Sequence, residues 1–313
     1  MEYRDGVVRR AAWEVPHAAG RSLGSSSARR LARLMGSAEG LTEAGVTRIA
    51  NRISPRVADQ NPRLVKISPE WAATDIAVRR QGLRWRLDLR DNLQAVLYYA
   101  GRYEPAVTRF LRAELKPDDV VLDIGANIGL HSLGAARQLR ELGGGKVIAF
   151  EPAADSMDKL RAAAELNGLA DLITLVPVAL GERKYQAALH ADSRYDPADS
   201  GVRSLQADGE VVQDVPVIRL DDWVREQGLD RVDVVKLDVE GSEAAALAGA
   251  TRTLVRFKPR AVLVEDKNPA LRRRLHTALD ELGYRSTGVT FDHNTLFRPD
   301  RTDREVLRRH SLR

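Results

Sequence analysis

The chain has 313 residues, 43% hydrophobic and 30% charged, with a formal net charge of +5. That composition belongs to a globular protein large enough for one substantial core and an extra lobe. It contains no cysteine, which excludes disulfides, thiolate metal sites and cysteine nucleophiles and is compatible with a reducing cytoplasm.

The first 25 residues mix charged and apolar side chains without the apolar core of a signal peptide. No run approaches the roughly 20 apolar residues of a membrane helix, so a cytoplasmic protein with no membrane contact is expected. Residues 1–90 carry 17 basic and 9 acidic side chains, so the basic excess lies near the N-terminus. Such an excess suits an anionic partner such as a phosphorylated substrate or RNA, but charge runs ordinarily solvate a surface. Apolar residues at helical spacing predict short helices around Leu31–Met35 and over Thr42–Ile53. Alternation around Gln81-Gly82 predicts a half-buried hairpin. Residues 1–90 therefore read as a helical and hairpin extension, serving as a substrate cover or a homodimer contact.

Asn92–Tyr99 and Pro105–Leu115 have helical patterns, with Glu104 placed to cap the second and Pro105 at its first position. Val120–Ile124 is an apolar run too short for a helix, which reads as a strand buried on both faces. Glycines at Gly125 and Gly129 follow, and then a helical segment, Leu130–Leu142. A strand, a glycine turn and a helix form the front half of a nucleotide-binding βαβ unit. The glycines are expected to let backbone approach a ligand, and the helix N-terminus to offer it unpaired N–H groups. The pattern is Asp-x-Gly-x-Asn-x-Gly, however, and Asp123 at the strand end would repel a pyrophosphate while suiting a cationic ligand. The next strand, Lys146–Phe150, closes on Glu151, about 20 residues past the loop, where a carboxylate binds ribose hydroxyls.

Ser156–Asn167 predicts a helix ended by Asn167-Gly168, and Leu172–Val176 a third strand, with Val178 to Leu180 leading off it. Tyr185–Ile218 departs from the α/β rhythm and reads as a β excursion with a loop that helps cover the substrate. Asp233–Asp238 and Arg260–Asp266 are further strands. Leu271–Leu282 is a helix, followed by short antiparallel strands at Tyr284–Gly288 and Asn294–Arg298. Strands alternating with helices give a mostly parallel, seven-stranded sheet with helices on both faces. Residues 91–300 form this domain and residues 301–313 a charged tail.

Leu122–Gly129, Ala149-Phe-Glu-Pro152 and Lys236-Leu-Asp-Val-Glu-Gly241 together resemble the FkbM-type methyltransferases, as does Gly101–Pro105 upstream. The resemblance spans residues 90 to 300. It implies a Rossmann-like class I methyltransferase fold and S-adenosylmethionine (SAM) as cofactor. The activity it implies is an O-methyltransferase acting on a hydroxyl of a small natural product or sugar. Carried onto this chain, it assigns cofactor contacts to Tyr103, Glu104, Asp123, Gly125, Ala126, Asn127, Gly129, Glu151, Pro152 and Ala179. Tyr103 and Glu104 would reach the amino-acid end of the cofactor, and Ala179 would act through its backbone.

A hydroxyl acceptor must lose a proton, which calls for a general base or a metal. In an open α/β sheet the site lies beyond the carboxyl ends of the strands. Asp238 and Glu240 are the leading catalytic pair there, with His131, just past the glycine loop, as a further base. The bland alternatives are that Glu240 or Glu243 favours a helix N-terminus and that His131 is a hydrogen-bonding spacer. Asp238, Glu265 and Asp266 could supply oxygen ligands to Mg²⁺, but the resemblance includes no required metal and none is expected. Two other functions fit less of the sequence. One is an RNA methyltransferase using the basic N-terminal lobe, against which stand 5% aromatics and no base-stacking motif. The other is a non-catalytic nucleotide-binding protein, against which stand Asp123, Asn127, Glu151 and Asp238.

Overall fold

A computed structural model describes residues 75–192, 200–267, 269–291 and 293–300. The predicted helices near Leu31 and over Thr42–Ile53, and the tail, lie outside these residues. The chain divides into two compact units, one running to Tyr103 and including residues 198–201, the other formed by the rest from Glu104 onward.

In the first unit, β1 (Ile76–Arg80) and β2 (Leu83–Leu87) pair antiparallel, with Arg80 opposite Leu83. Gln81 and Gly82 both have positive φ, the backbone that a two-residue hairpin turn requires. The strands' alternation buries Leu83, Trp85 and Leu87, and the Trp85 indole donates to the Arg80 carbonyl. Helix α1 (Asn92–Ala100) starts at Asp91, whose carboxylate accepts from the Gln94 amide at 3.1 Å.

The second unit carries the main sheet. Helix α2 (Pro105–Glu114) leads into β3 (Asp119–Ile124), which is buried along its whole length. There follow α3 (Leu130–Leu142), β4 (Gly145–Phe150), α4 (Ala154–Leu166) and β5 (Ile173–Val176). Helix α4 starts before Ser156, with Asp155 in its first turn, where a carboxylate favours the helix dipole. After β5 come β6 (Ala179–Leu180), β7 (Tyr185–Ala191), β8 (Arg203–Ser204) and β9 (Val211–Ile218). These form a separate four-stranded sheet in the order β6-β9-β7-β8, which is the predicted excursion. Helix α5 (Leu220–Glu226), β10 (Val234–Leu237), α6 (Glu243–Ala248), α7 (Thr251–Phe257), β11 (Ala261–Glu265), α8 (Pro269–Glu281), β12 (Tyr284–Phe291) and β13 (Asn294–Pro299) complete the unit.

The main sheet has seven strands in the order β12-β13-β11-β10-β3-β4-β5. Six run in one direction, while β13 is antiparallel to both of its neighbours, β11 and β12. Residues of β3, β4, β10 and β11 pack with α5–α8 into one apolar core around Leu122, Ile148, Leu237 and Val264. The strand order reverses at β3, whose neighbours are β4 and β10. Such a switch point opens a crevice at the carboxyl ends of the strands.

Candidate active site

The β3–α3 loop is built by its own hydrogen bonds. Gly125 and Ala126 N–H groups both donate to the Phe150 carbonyl, at 2.9 and 3.0 Å. The Asn127 amide donates to Glu151 Oε2 at 2.8 Å, and Ile128 to the Asn127 side-chain oxygen at 2.7 Å. Gly129 donates to Ala126. The turn is tight enough to use its own N–H groups, and the N-terminus of α3 begins after it, at Leu130. The glycines also have a reason inside the fold. A Cβ on Gly125 would stand 1.7 Å from the Asp238 carbonyl oxygen, and one on Gly129 would stand 2.6 Å from Leu133 and Leu160 atoms. Both glycines also have positive φ. They make room for the chain's own β10 turn and helices.

Glu151 sits where β4 ends, buried, its Oε1 accepting from the Ala153 amide at 2.9 Å. Burial pushes its carboxyl up to about 7, against the pull of these backbone donors. Pro152 lies beside it, its carbonyl accepting from Gln213 on β9. Ala179 is buried on β6 and pairs with Val217. Tyr103 belongs to the first unit, where its carbonyl accepts from Gln81.

Asp123 and Lys236 are register partners on β3 and β10. Asp123 accepts from Ser132 Oγ at 2.5 Å, and its Oδ1 lies 4.0 Å from the Lys236 ammonium. The cation it faces is thus the protein's own lysine. Lys236 also lies 2.9 Å from Asp238 Oδ2. Burial disfavours the charged lysine, but Asp238 and then Asp123 outweigh it and hold the ammonium well above its usual range. For Asp238, burial pushes upward while Lys236 and Lys267 pull down, and the net is a carboxyl held below the usual range.

Glu104 does not serve as the cap that its place before Pro105 suggests. It makes no side-chain cap to α2 and has left-handed backbone, φ +40. Its carboxylate instead meets His131 Nε2 at 2.7 Å. That bond commits one nitrogen of His131, a buried residue in the first turn of α3, and leaves Nδ1 without a partner among the described residues. Oxygens of Glu104, Asp238 and Glu265 lie within 4.8 Å of one another. Glu240 follows on the turn after β10, again with left-handed backbone. Burial, then the Asp238 charge, push its carboxyl up to about 7. Glu265 is driven upward for the same reasons, burial first and then Asp238 and Glu240. Lys267 answers both, 2.6 Å from Glu265 and 3.4 Å from Glu240. Glu243 is not a mere helix-end charge. Its carboxylate accepts from the Val239 and Gly241 amides, each at 3.0 Å, and so ties the turn together.

The structure therefore brings Glu104, Asp123, His131, Asp238 and Glu240 to one end of the sheet, with Glu151 on the neighbouring strand. His293 is exposed in the β12–β13 turn. Sequence reasoning gave no role to Lys236, Lys267 or Ser132, and gave Glu243 only that of a helix-end charge. Lys236 had a readable signal, a charge inside the otherwise apolar strand Val234–Leu237. Lys267 and Ser132 had none.

A family model described as the methyltransferase FkbM domain matches residues 123–286. The 2-O-methyltransferase NoeI of Sinorhizobium fredii is 30% identical over 158 residues, 46% of this chain and 62% of that protein. The hexuronic acid methyltransferase AglP of Haloferax volcanii is 30% identical over 49% of this chain and 59% of its own. The 31-O-demethyl-FK506 methyltransferase FkbM of Streptomyces tacrolimicus is 32% identical over 44% of this chain and 61% of its own. The chain thus spans about three fifths of the length of these relatives. It belongs to the FkbM methyltransferase family.

The residues present fit SAM, the methyl donor of such enzymes. Each Glu151 oxygen takes one N–H bond, and a carboxylate oxygen has a second lone pair for a ribose hydroxyl. Asp123 Oδ1 is buried and accepts no hydrogen bond among the described residues. Oxygens of Glu104, Asp238 and Glu265 cluster at this end, and burial with mutual repulsion raises Glu240 and Glu265, an arrangement whose carboxyls a cationic ligand would favour in the ionised form.

Proposed function

We propose that this chain is a SAM-dependent O-methyltransferase whose acceptor is a hydroxyl of a sugar or other small natural product. One observation carries the reading: at the switch point of the main sheet, Asp238, paired with Lys236 at 2.9 Å, lies two residues from Glu240, whose carboxyl faces Lys267 and is pushed up by burial and by Asp238. The names of the relatives, a 2-O-methyltransferase and a 31-O-demethyl-FK506 methyltransferase, support a hydroxyl acceptor.

SAM, when bound, supplies a methyl group on a sulfonium that leaves as a neutral thioether. The chain's own residues position the acceptor, exclude water and take a proton. Glu151 would hold the ribose hydroxyls, and Glu104 and Asp123 would balance the cofactor's positive charge. Asp238, kept ionised by Lys236, is a weak base but a strong hydrogen-bond acceptor, suited to orienting the acceptor hydroxyl. Glu240, with a carboxyl near operating pH, is the better proton acceptor. His131, already bonded to Glu104, holds that carboxylate rather than taking the proton.

The test is calorimetry with SAM and S-adenosylhomocysteine (SAH), followed by incubation of a mono- and disaccharide panel with methyl-labelled SAM and mass analysis. Binding of both nucleosides and a labelled methyl ether on a sugar are expected. Absence of heat with either nucleoside overturns the reading.

A further inference from the structure

Resting on Glu240 as the proton acceptor, we infer that Ser204 is a positioning residue: from the second sheet it holds the turn after β10, and with it Glu240, in the working conformation. The sequence predicts a substrate cover in this second sheet; one of its two-residue strands, β8, does something more specific. Strand β8 is two residues long and is fixed against β7, with Ala191 opposite Arg203 and His190 opposite Ser204. Successive side chains on a strand point to opposite faces. Arg203 pairs with Asp155 in the first turn of α4, just past the cofactor carboxylate Glu151. Ser204 turns the other way. Its hydroxyl donates to the Glu240 carbonyl at 2.5 Å and accepts from the Gln206 amide at 3.0 Å. The side chain is 6% exposed, so little water is at hand to replace it.

Glu240 needs such a partner. Its φ is +50, a conformation that a residue with a Cβ keeps only where its surroundings impose it. Two groups impose it from opposite sides. Glu243 accepts the amides on either side of Glu240, those of Val239 and Gly241, and Ser204 supplies a donor to the carbonyl between them. Gln206 closes the same side, its Cβ 3.9 Å from where a Cβ on Gly241 would stand. Without the Ser204 hydroxyl, the carbonyl of Glu240 loses its donor and the Gln206 amide its acceptor. The turn can then relax to ordinary backbone, which swings the Glu240 carboxylate away from Asp238 and Lys267. The charged groups that act on Glu240 are Asp238 and Glu243 from its own segment and Lys267 and Glu265 from the end of β11. Their distances to the Glu240 carboxyl stay fixed only while the turn does.

The experiment reads the Glu240 carboxyl directly and needs no acceptor. Protein labelled with ¹³C at glutamate side-chain carboxyls is titrated by NMR, and the Glu240 signal is assigned by its loss in Glu240→Gln. In the wild type a midpoint near 7 is expected, because burial and the Asp238 charge push the carboxyl up. Ser204→Ala should lower that midpoint by about one pH unit or more, toward the ordinary glutamate range, and Ser204→Thr should restore it. If Ser204→Ala does not fold, Ser204→Val against Ser204→Thr compares two side chains of equal shape that differ in the hydroxyl. An unmoved midpoint in Ser204→Ala, or equal midpoints in the Val and Thr variants, overturns the inference. SAH affinity, measured by calorimetry on the same samples, should stay within about threefold of wild type, because Ser204 contacts no residue assigned to the cofactor. Failure of the wild type to bind SAH would sink the cofactor reading while leaving the titration to decide the role of Ser204.

Discussion

The Lys236 ammonium lies 2.9 Å from Asp238 Oδ2, and both groups lie within the end of the sheet. A lysine this deeply buried is tolerated because two carboxylates flank it, Asp238 and, across the strand pair, Asp123. The pair does two things at once. It keeps Asp238 ionised beside the site, and it makes the fold depend on a charge balance that removal of one partner would upset.

Lys236→Met is therefore expected to lower stability by about 3–5 kcal/mol, the usual cost of leaving a buried charge unpaired. Urea denaturation measures it. The double variant Lys236→Met with Asp238→Leu should recover part of the loss, Asp123 being left without its lysine, while abolishing methyl transfer. Full stability of the single variant would show that Asp238 is neutral in the folded protein.

Gly125→Ala should prevent folding or destabilise the protein severely, since the new Cβ would overlap the Asp238 carbonyl oxygen, a backbone atom that cannot step aside. Gly134 supplies the control. It sits inside α3, and a Cβ added there would meet nothing within 4 Å, so Gly134→Ala should stabilise by about 0.5–1 kcal/mol. Thermal unfolding of the two variants checks both. A folded, stable Gly125→Ala that merely loses cofactor would favour the ligand-clearance account of that glycine.

The contrast between these glycines marks how far the sequence carries. The strand, loop and helix from Val120 to Leu142, the acid ending β4 and the Asp238–Gly241 turn were legible because short apolar runs and glycines have few structural solutions. What Gly125 faces was not legible, since the obstacle is a carbonyl 113 residues further on. Glu104 misled for a related reason: an acid before Pro105 has the local signature of a cap, and only tertiary packing turns it toward His131. Ser204 lies in the excursion, whose irregular spacing carries no motif, and its partner is set by how two sheets meet.

Glu151→Ala should weaken SAH binding about 10- to 150-fold, the range for a lost hydrogen bond to a charged group, roughly 1.5–3 kcal/mol. It should also loosen the glycine loop, because the Asn127 amide loses its acceptor. Calorimetry reads the first effect and amide hydrogen exchange at Asn127 the second. Unchanged affinity would remove Glu151 from the cofactor site, whatever the loop does.

On any sugar the panel yields, methyl transfer should rise with pH through a midpoint near 7, as Glu240 loses its proton, and then level off. Glu240→Gln should cut turnover by about 10²–10⁴ and flatten that rise, with SAM affinity little changed. Asp238→Asn should cut turnover by a similar factor yet keep a rise, with its midpoint moved down, because the Asp238 charge helps to raise the Glu240 carboxyl. A rise that survives in Glu240→Gln and disappears in His131→Ala would transfer the base role to His131.

The same carboxyls set the pH dependence of stability in the ligand-free protein. Burial pushes the Glu151 and Glu240 carboxyls up to about 7 in the folded protein, and Glu265 up to about 10, against 4.5 for an ordinary glutamate. A raised folded pKa means that the native state holds more protons than the unfolded state between those values, so stability falls as pH rises through that window. Asp238, Asp233 and Glu114 are held below their usual values, and their contribution is already complete by about pH 5. The urea midpoint should thus be highest near pH 5 and decline toward pH 7.5, by up to about 1.4 kcal/mol per pH unit for each raised group. Glu151→Gln and Glu240→Gln should each make the decline shallower, and the pair of substitutions shallower still. Because a cationic ligand favours the ionised carboxylates, saturating SAM should stabilise the protein more at pH 7.5 than at pH 5. A stability curve that instead climbs from pH 5 to 7.5 in the free protein would mean that both glutamates ionise in the ordinary range, and Glu240 would then be no better a base than any surface carboxylate.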